Sequence, residues 1–158
     1  MKHIRTLKLT ASIIICLSAG AIGSLFTSAS VDSWYLTLNK PPFNPPSWVF
    51  APVWTLLYIL MGVSLFLVLS RENVFQKKKT ALIFFSAQLF LNILWSFLFF
   101  GMESPLMAFI EIILLWIAII ITIALFKKIY PLSAYLLVPY LLWVTFASVL
   151  NYSIFILN

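Results

Sequence analysis

The stretch LMAFIEIILLWIAIIITIALF, residues 106–126, decides the fold class of this chain. Its only charged residue is Glu111. An α-helix needs about 20 residues to cross the hydrocarbon core of a bilayer, which is roughly 30 Å thick. The stretch therefore predicts a membrane-spanning helix.

The composition of the whole chain supports the same class. Of its 158 residues, 63% are hydrophobic and 9% are charged, whereas about 25% of the residues in a soluble domain are charged. A soluble monomer of this size still exposes about a third of its unfolded surface, so it could not hide that much apolar area. Composition excludes a soluble globular domain, a disordered chain and a nucleic-acid-binding protein.

Four further apolar runs are long enough to cross a bilayer. We therefore predict an all-α integral membrane protein, a bundle of five transmembrane helices forming one domain over residues 1–158. The first run follows a basic arm and could also be a signal peptide, but it exceeds the roughly 7–15 apolar residues typical of one, so we expect it to be retained. The predicted spans are 9–26, 47–69, 81–100, 106–126 and 133–156.

The connection 27–46 is rich in proline, with the sequence KPPFNPP at 40–46. Paired prolines fix the backbone and remove donors, so we expect a stiff, extended segment that caps a ligand site. With five spans, nine of the ten basic residues lie on one side and only Lys40 on the other. We therefore predict a multi-pass protein of the cell membrane. The positive-inside rule predicts a cytoplasmic N-terminus and places the connection 27–46 outside the cell.

Aromatic and polar side chains recur at helical spacing on three of the spans. Such faces have two interpretations: hydrogen bonding between helices, or an aromatic pocket with a few polar anchors for a flat apolar ligand. Any one residue alone favours the first interpretation, while the coincidence of three faces makes the second competitive. The faces comprise Trp54, Tyr58 and Met61; Gln88, Asn92 and Trp95; and Tyr140, Trp143, Ala147 and Asn151.

Residues for conventional catalysis are scarce. Glu111 is the only carboxylate inside a span, and it is either a functional group or a hydrogen-bonded residue near the interface. Cys16 lies in an apolar run, and the only histidine, His3, lies in the N-terminal arm. No spacing suits a metal site, a nucleophilic triad or a phosphate loop. We predict no resident cofactor.

Three segments resemble motifs of the TspO/MBR family, the translocator or peripheral-type benzodiazepine receptor family. They are KPPFNPPSWVFAPVWTLLY at 40–58, QLFLNILW at 88–95 and PYLLWVTFASVLNY at 139–152. The resemblance covers nearly the whole chain, and its proline-aromatic block is the specific part. One departure is the absence of a basic residue after Tyr152, which weakens any expectation of sterol recognition through the tail.

The resemblance implies a five-helix bundle, commonly a homodimer, with a pocket beneath the first long loop. It implies binding of tetrapyrroles such as protoporphyrin IX and of isoquinoline or benzodiazepine-type ligands, and some bacterial members also degrade protoporphyrin in light. It also implies a set of ligand-binding residues, to which the second-span face adds Tyr58. The full set expected is Tyr35, Trp54, Tyr58, Asn92, Trp95, Trp143 and Ala147.

The leading hypothesis is therefore a membrane protein that binds a porphyrin between its helices. One alternative is an enzyme that degrades protoporphyrin in light, with Trp54 and Trp143 as the catalytic electron donors. Another is a carrier that moves the pigment across the bilayer, which ranks lower because the sequence shows no internal repeat. A purely structural role is the fourth.

Overall fold

The computed structural model describes residues 2–72 and 75–158. A 3-10 turn, Ser47–Val49, precedes the third helix, and a π-helical segment, Phe97–Gly101, continues the fourth. The α-helices are α1 (Lys2–Ser30), α2 (Trp34–Thr37), α3 (Phe50–Leu69), α4 (Phe75–Ser96), α5 (Pro105–Lys127), α6 (Pro131–Tyr135) and α7 (Val138–Leu157).

Five helical segments within the described residues are long and apolar enough to cross a membrane. The prediction of an all-α, multi-pass membrane protein is confirmed. α1 and α4 begin several residues before the predicted apolar runs, so their first turns include basic residues, whereas α3 and α7 begin after the predicted starts of their spans. Residues 73 and 74, in the connection between α3 and α4, lie outside the described residues.

The helices surround a common interior. Around this interior α1 packs against α3 and α4, α4 packs against α5, and α5 packs against α7. The short helix α6 contacts both α5 and α3 and so completes the ring of helices. At the contact of α1 with α3, a Cβ on Gly62 would lie 2.6 Å from Cα of Ile13. Gly20 faces the ring of Tyr58, and Gly23 faces Ser96. The small-residue face of α1 is thus used inside the bundle.

Two prolines lie in the first turns of α3 and α7. Pro52 falls inside the predicted span 47–69 and Pro139 inside the predicted span 133–156, where a proline would bend a continuous helix. Instead, the 3-10 turn comes before α3, so Pro52 falls in the first turn of that helix, and α6 ends before α7, so Pro139 does the same. The first turn has no intrahelical partner for its N–H groups, so a proline removes no hydrogen bond there.

The π-helical segment determines which aromatic rings reach the interior. Its wider turn is closed by a hydrogen bond from Met102 N to Phe97 O of 2.8 Å. As a result three successive side chains, those of Leu98, Phe99 and Phe100, are buried. π-helical turns are frequent at functional sites.

Candidate ligand-binding cavity

A cavity of about 510 Å³ lies among α1, α3, α4 and α7, beneath the connection between α1 and α3. Its volume falls in the range of roughly 300–1,000 Å³ typical of small-molecule sites. The structure brings together on its walls all the residues that the sequence assigned to ligand binding. These are Tyr35, Trp54, Tyr58, Asn92, Trp95, Trp143 and Ala147.

Two indole rings from different helices face this cavity and are each held by other rings. Trp54 stacks on Tyr58, with ring centroids 5.6 Å apart and planes inclined by 29°, and meets the edge of Tyr140 at 6.3 Å. Trp143 contacts Phe50 at 6.0 Å and Phe146 at 5.5 Å. Because neither indole shares a ring partner with the other, each has an independent support.

The floor of the cavity is a hydrogen-bonded polar cluster joining three helices. The Tyr58 hydroxyl on α3 donates to Oδ1 of Asn92 on α4. Asn92 Nδ2 in turn donates to the Tyr140 hydroxyl on α7 at 2.9 Å. Asn92 is only 4% exposed. The two interpretations of these residues are therefore compatible, since Tyr58 and Asn92 bond across helices and also line the cavity.

A second polar link lies higher on the same walls. Trp95 Nε1 donates to Oδ1 of Asn151 at 3.0 Å, and Asn151 Nδ2 donates to the carbonyl of Pro105 at 2.8 Å. The indole nitrogen of Trp95 is thereby satisfied within the protein. Its ring stacks on Phe99 with centroids 5.1 Å apart, which leaves the aromatic surface of Trp95 as its contribution to the cavity.

The connection between α1 and α3 forms the roof. The Tyr35 hydroxyl donates to Oδ1 of Asn44 at 3.0 Å, and both residues line the cavity. The Tyr35 ring rests on Phe100, with centroids 5.7 Å apart. Burial raises the pKa of the Tyr35 hydroxyl, against a smaller lowering effect of the hydrogen bond to Asn44. The phenol is thus a protonated donor at neutral and mildly alkaline pH.

The roof is fastened to the end of α7 by two asparagines. Asn39 N donates to Oδ1 of Asn158 at 2.9 Å, and Asn158 Nδ2 donates back to Asn39 O at 3.0 Å. Asn39 Nδ2 also donates to Leu157 O at 3.3 Å. These bonds hold the connection across the top of the bundle.

Small, exposed residues of α1 and α3 form part of the cavity wall. Ser24 on α1 and both Ala51 and Thr55 on α3 line the cavity and are exposed. Nearer the other end of the bundle the two helices are in contact at Gly62 and Ile13.

Some lining residues could not be predicted from the sequence, and some residues on the predicted aromatic and polar faces do not line the cavity. Phe99 and Phe100 line the cavity, but in the sequence they belong to a uniform apolar run whose facing depends on the π-helical turn. Met61 and Gln88 share faces with lining residues yet lie deeper, with Gln88 Nε2 4.0 Å from the Met61 sulfur. On each of the three helical faces predicted from the sequence, only the residues nearer the connection between α1 and α3 line the cavity.

Glu111 is 3% exposed and does not line the main cavity. In the described part of the chain neither of its carboxylate oxygens has a hydrogen-bond partner. The structure thus does not supply the interhelical bond that one interpretation of Glu111 required. Among the described residues that line the main cavity none has a charged side chain, so its chemistry is that of indole, phenol, phenyl, amide, hydroxyl and alkyl groups.

These features define a multi-pass membrane protein whose helices enclose an aromatic cavity. Residues 12–157 match the model of the TspO/MBR family, and the chain belongs to that family. The resemblance noted in the sequence motifs is confirmed.

Similar proteins occur in bacteria, archaea and animals. The chain is 46% identical over 157 residues to the Tryptophan-rich protein TspO of Chlorobaculum tepidum, covering 99% of this chain and 98% of that protein. It is 47% identical over 152 residues to the Tryptophan-rich protein TspO of Archaeoglobus fulgidus, covering 96% and 97%. It is 37% identical over 134 residues to the Translocator protein of Homo sapiens, covering 84% and 79%.

Proposed function

We propose that this protein binds porphyrins such as protoporphyrin IX, and flat hydrophobic ligands of the benzodiazepine or isoquinoline type, in the cavity among its helices. The observation that carries the proposal is the convergence of Trp54 and Trp143 from separate helices on one cavity of about 510 Å³. Flat aromatic ligands gain from offset or edge contacts with such rings. Membership of the TspO/MBR family supports the same ligand class.

In this proposal each part of the cavity has a distinct role. Trp54 and Trp143 contact the faces or edges of the ligand ring, with the ring of Trp95 as a further contact. Asn92 and Tyr58 form the polar floor, although their mutual hydrogen bond leaves only part of their polar capacity for a ligand. Tyr35 closes the roof. Ala147 provides space, because a larger side chain there would occupy volume that the ligand needs.

A titration of purified protein with protoporphyrin IX tests the proposal. Binding would quench tryptophan fluorescence, and an isoquinoline ligand would compete for the same site. Ala147→Phe should weaken binding by about tenfold or more through crowding, which corresponds to roughly 1.4 kcal/mol. Ala124→Phe is a matched control, because Ala124 is exposed on α5 and does not line the cavity. Equal affinities of the two variants would contradict the proposed location.

The proposal includes the setting of the protein in the cell. The basic residues at one end of the bundle favour a cytoplasmic N-terminus in the cell membrane, and family membership supports a homodimer. Protease accessibility of a tag added before α1, in sealed right-side-out vesicles, tests the orientation. Concentration-dependent cross-linking in proteoliposomes tests the dimer.

A second candidate function is light-dependent oxidation of the bound porphyrin with dioxygen as the oxidant. It is favoured by one observation: three indole rings, those of Trp54, Trp95 and Trp143, line the same cavity. Indoles can exchange electrons with an excited pigment. Illumination of the complex with and without dioxygen, in the wild type and in Trp54→Phe plus Trp143→Phe, distinguishes this function from binding. Bleaching no faster than that of free pigment would exclude it.

A further inference from the structure

The two ends of the bundle differ in their cations. Among basic side chains that the structure describes, Lys40 alone lies in the connection between α1 and α3, on the side of the cavity. The others lie near the start of α1, between α3 and α4, or at the end of α5. Those positions share the opposite end of an antiparallel bundle. A negatively charged group of a ligand in the cavity would therefore find Lys40 as its nearest described cation.

Lys40 lies against the cavity-lining residue Tyr35 but is not itself part of the lining. Its ammonium nitrogen lies 4.6 Å from the centroid of the Tyr35 ring, and Tyr35 lines the cavity together with its partner Asn44. The side chain is half-buried, and its ammonium group is held beside this ring by a hydrogen bond to Leu38 O. The cation thus sits one ring away from the space that a ligand would fill.

The ammonium group retains hydrogen-bonding capacity. It donates one bond, to Leu38 O at 3.1 Å, and an ammonium group has three N–H donors. Asp32 and Glu103 are the exposed side-chain carboxylates at this end of the described chain. In the part of the chain that the structure describes, Lys40 forms no ion pair with either.

From this placement we infer that Lys40 is the specificity-determining residue for ligands with carboxylates on one edge, such as the propionate-bearing edge of a tetrapyrrole. The inference rests on the proposed function and deepens it. The apolar macrocycle lies among the indoles, where the described lining provides no charge, and the carboxylate edge points to the roof. There the remaining N–H groups of Lys40 donate to a carboxylate beside Tyr35 and Asn44, a charge-assisted bond stronger than a neutral one.

The test compares protoporphyrin IX, which carries two propionates, with its dimethyl ester, which has the same ring without charge. The wild type should bind the diacid about tenfold more tightly than the diester, or roughly 1.4 kcal/mol. Lys40→Met should remove this preference by weakening the diacid alone, and Lys40→Arg should retain most of it. The preference should also fall with rising salt, because the site is partly exposed.

Lys127→Met is the control, since Lys127 is exposed at the last turn of α5, at the opposite end. It should leave the diacid preference unchanged. If the wild type binds both pigments equally, or if Lys40→Met weakens both pigments to the same extent, the inference is wrong while the proposed function stands. If the wild type binds neither pigment, the proposed function fails and the inference with it.

Discussion

Replacing both cavity indoles should abolish most of the affinity for a porphyrin. In the double variant Trp54→Ala, Trp143→Ala, the ligand would lose its ring contacts on α3 and α7 together. Removing one aromatic stacking partner from a flat base costs about 1–3 kcal/mol in nucleic-acid-binding proteins. A porphyrin ring is flat like a nucleic-acid base, and each indole provides one aromatic ring for it to contact.

The size of the combined effect follows from how the two rings are supported. Trp54 rests on Tyr58 and Tyr140, whereas Trp143 rests on Phe50 and Phe146. Both rings line one cavity and contact one ligand, so their effects on binding are coupled and not simply additive. If each indole contributes about 1.4 kcal/mol, which is a factor of ten in Kd, the double variant should bind about 10- to 100-fold more weakly.

Absorbance titration of protoporphyrin IX in detergent or nanodiscs measures this change without depending on the deleted fluorophores. Trp116→Ala is the matched control, because Trp116 donates to the Thr145 hydroxyl at 2.8 Å and does not line the cavity. Circular dichroism and thermal denaturation establish that each variant keeps its fold. An unchanged Kd in a folded double variant would refute the assignment of these indoles as ligand contacts.

Three further predictions concern the framework of the cavity. Gly62→Ala should lower the free energy of unfolding by about 1–3 kcal/mol, because the added methyl would lie 2.6 Å from the backbone of Ile13; an unchanged thermal midpoint would contradict this contact. Asn158→Ala removes the amide that bonds to Asn39, so bound pigment should dissociate about fivefold faster in stopped-flow measurements, for a loss of roughly 1 kcal/mol from the roof. Equal dissociation rates would show that the roof does not limit release. Asn92→Leu leaves two tyrosine hydroxyls without their amide partner and should lower stability by about 1 kcal/mol, given the modest average strength of interhelical hydrogen bonds in membranes; a more stable variant in denaturant titration would oppose this.

The parts of the site that depend on local helical geometry could be predicted from the sequence. Trp54 and Tyr58 are separated by one helical turn, as are Trp143 and Ala147, so each pair shares a face whatever the rest of the chain does. The apolar length of the spans determined the fold class in the same way. Neither inference required knowledge of which helices are neighbours.

Features that depend on contacts between distant segments could not be predicted. The bond between Asn39 and Asn158 joins residues far apart in sequence, and neither residue belongs to a motif that singles it out. Phe99 and Phe100 face inward because the helix widens by one residue there, and a run of phenylalanines contains no mark of that change. In the sequence the glycines of α1 suit a dimer contact equally well, and only the position of the Tyr58 ring beside Gly20 places them inside the bundle.

Ser24 and Thr55 line the cavity and are exposed, which bears on how affinities for this protein should be expressed. In a bilayer such residues would face acyl chains, so a hydrophobic ligand would reach the cavity after dissolving in the lipid and not directly from water. Its effective dose is then the number of ligand molecules per lipid. Two compounds that make identical contacts with the protein would then differ in apparent affinity if their partition coefficients differ. Adding detergent would lower the apparent affinity of each compound, because it lowers the ligand concentration in the hydrophobic phase.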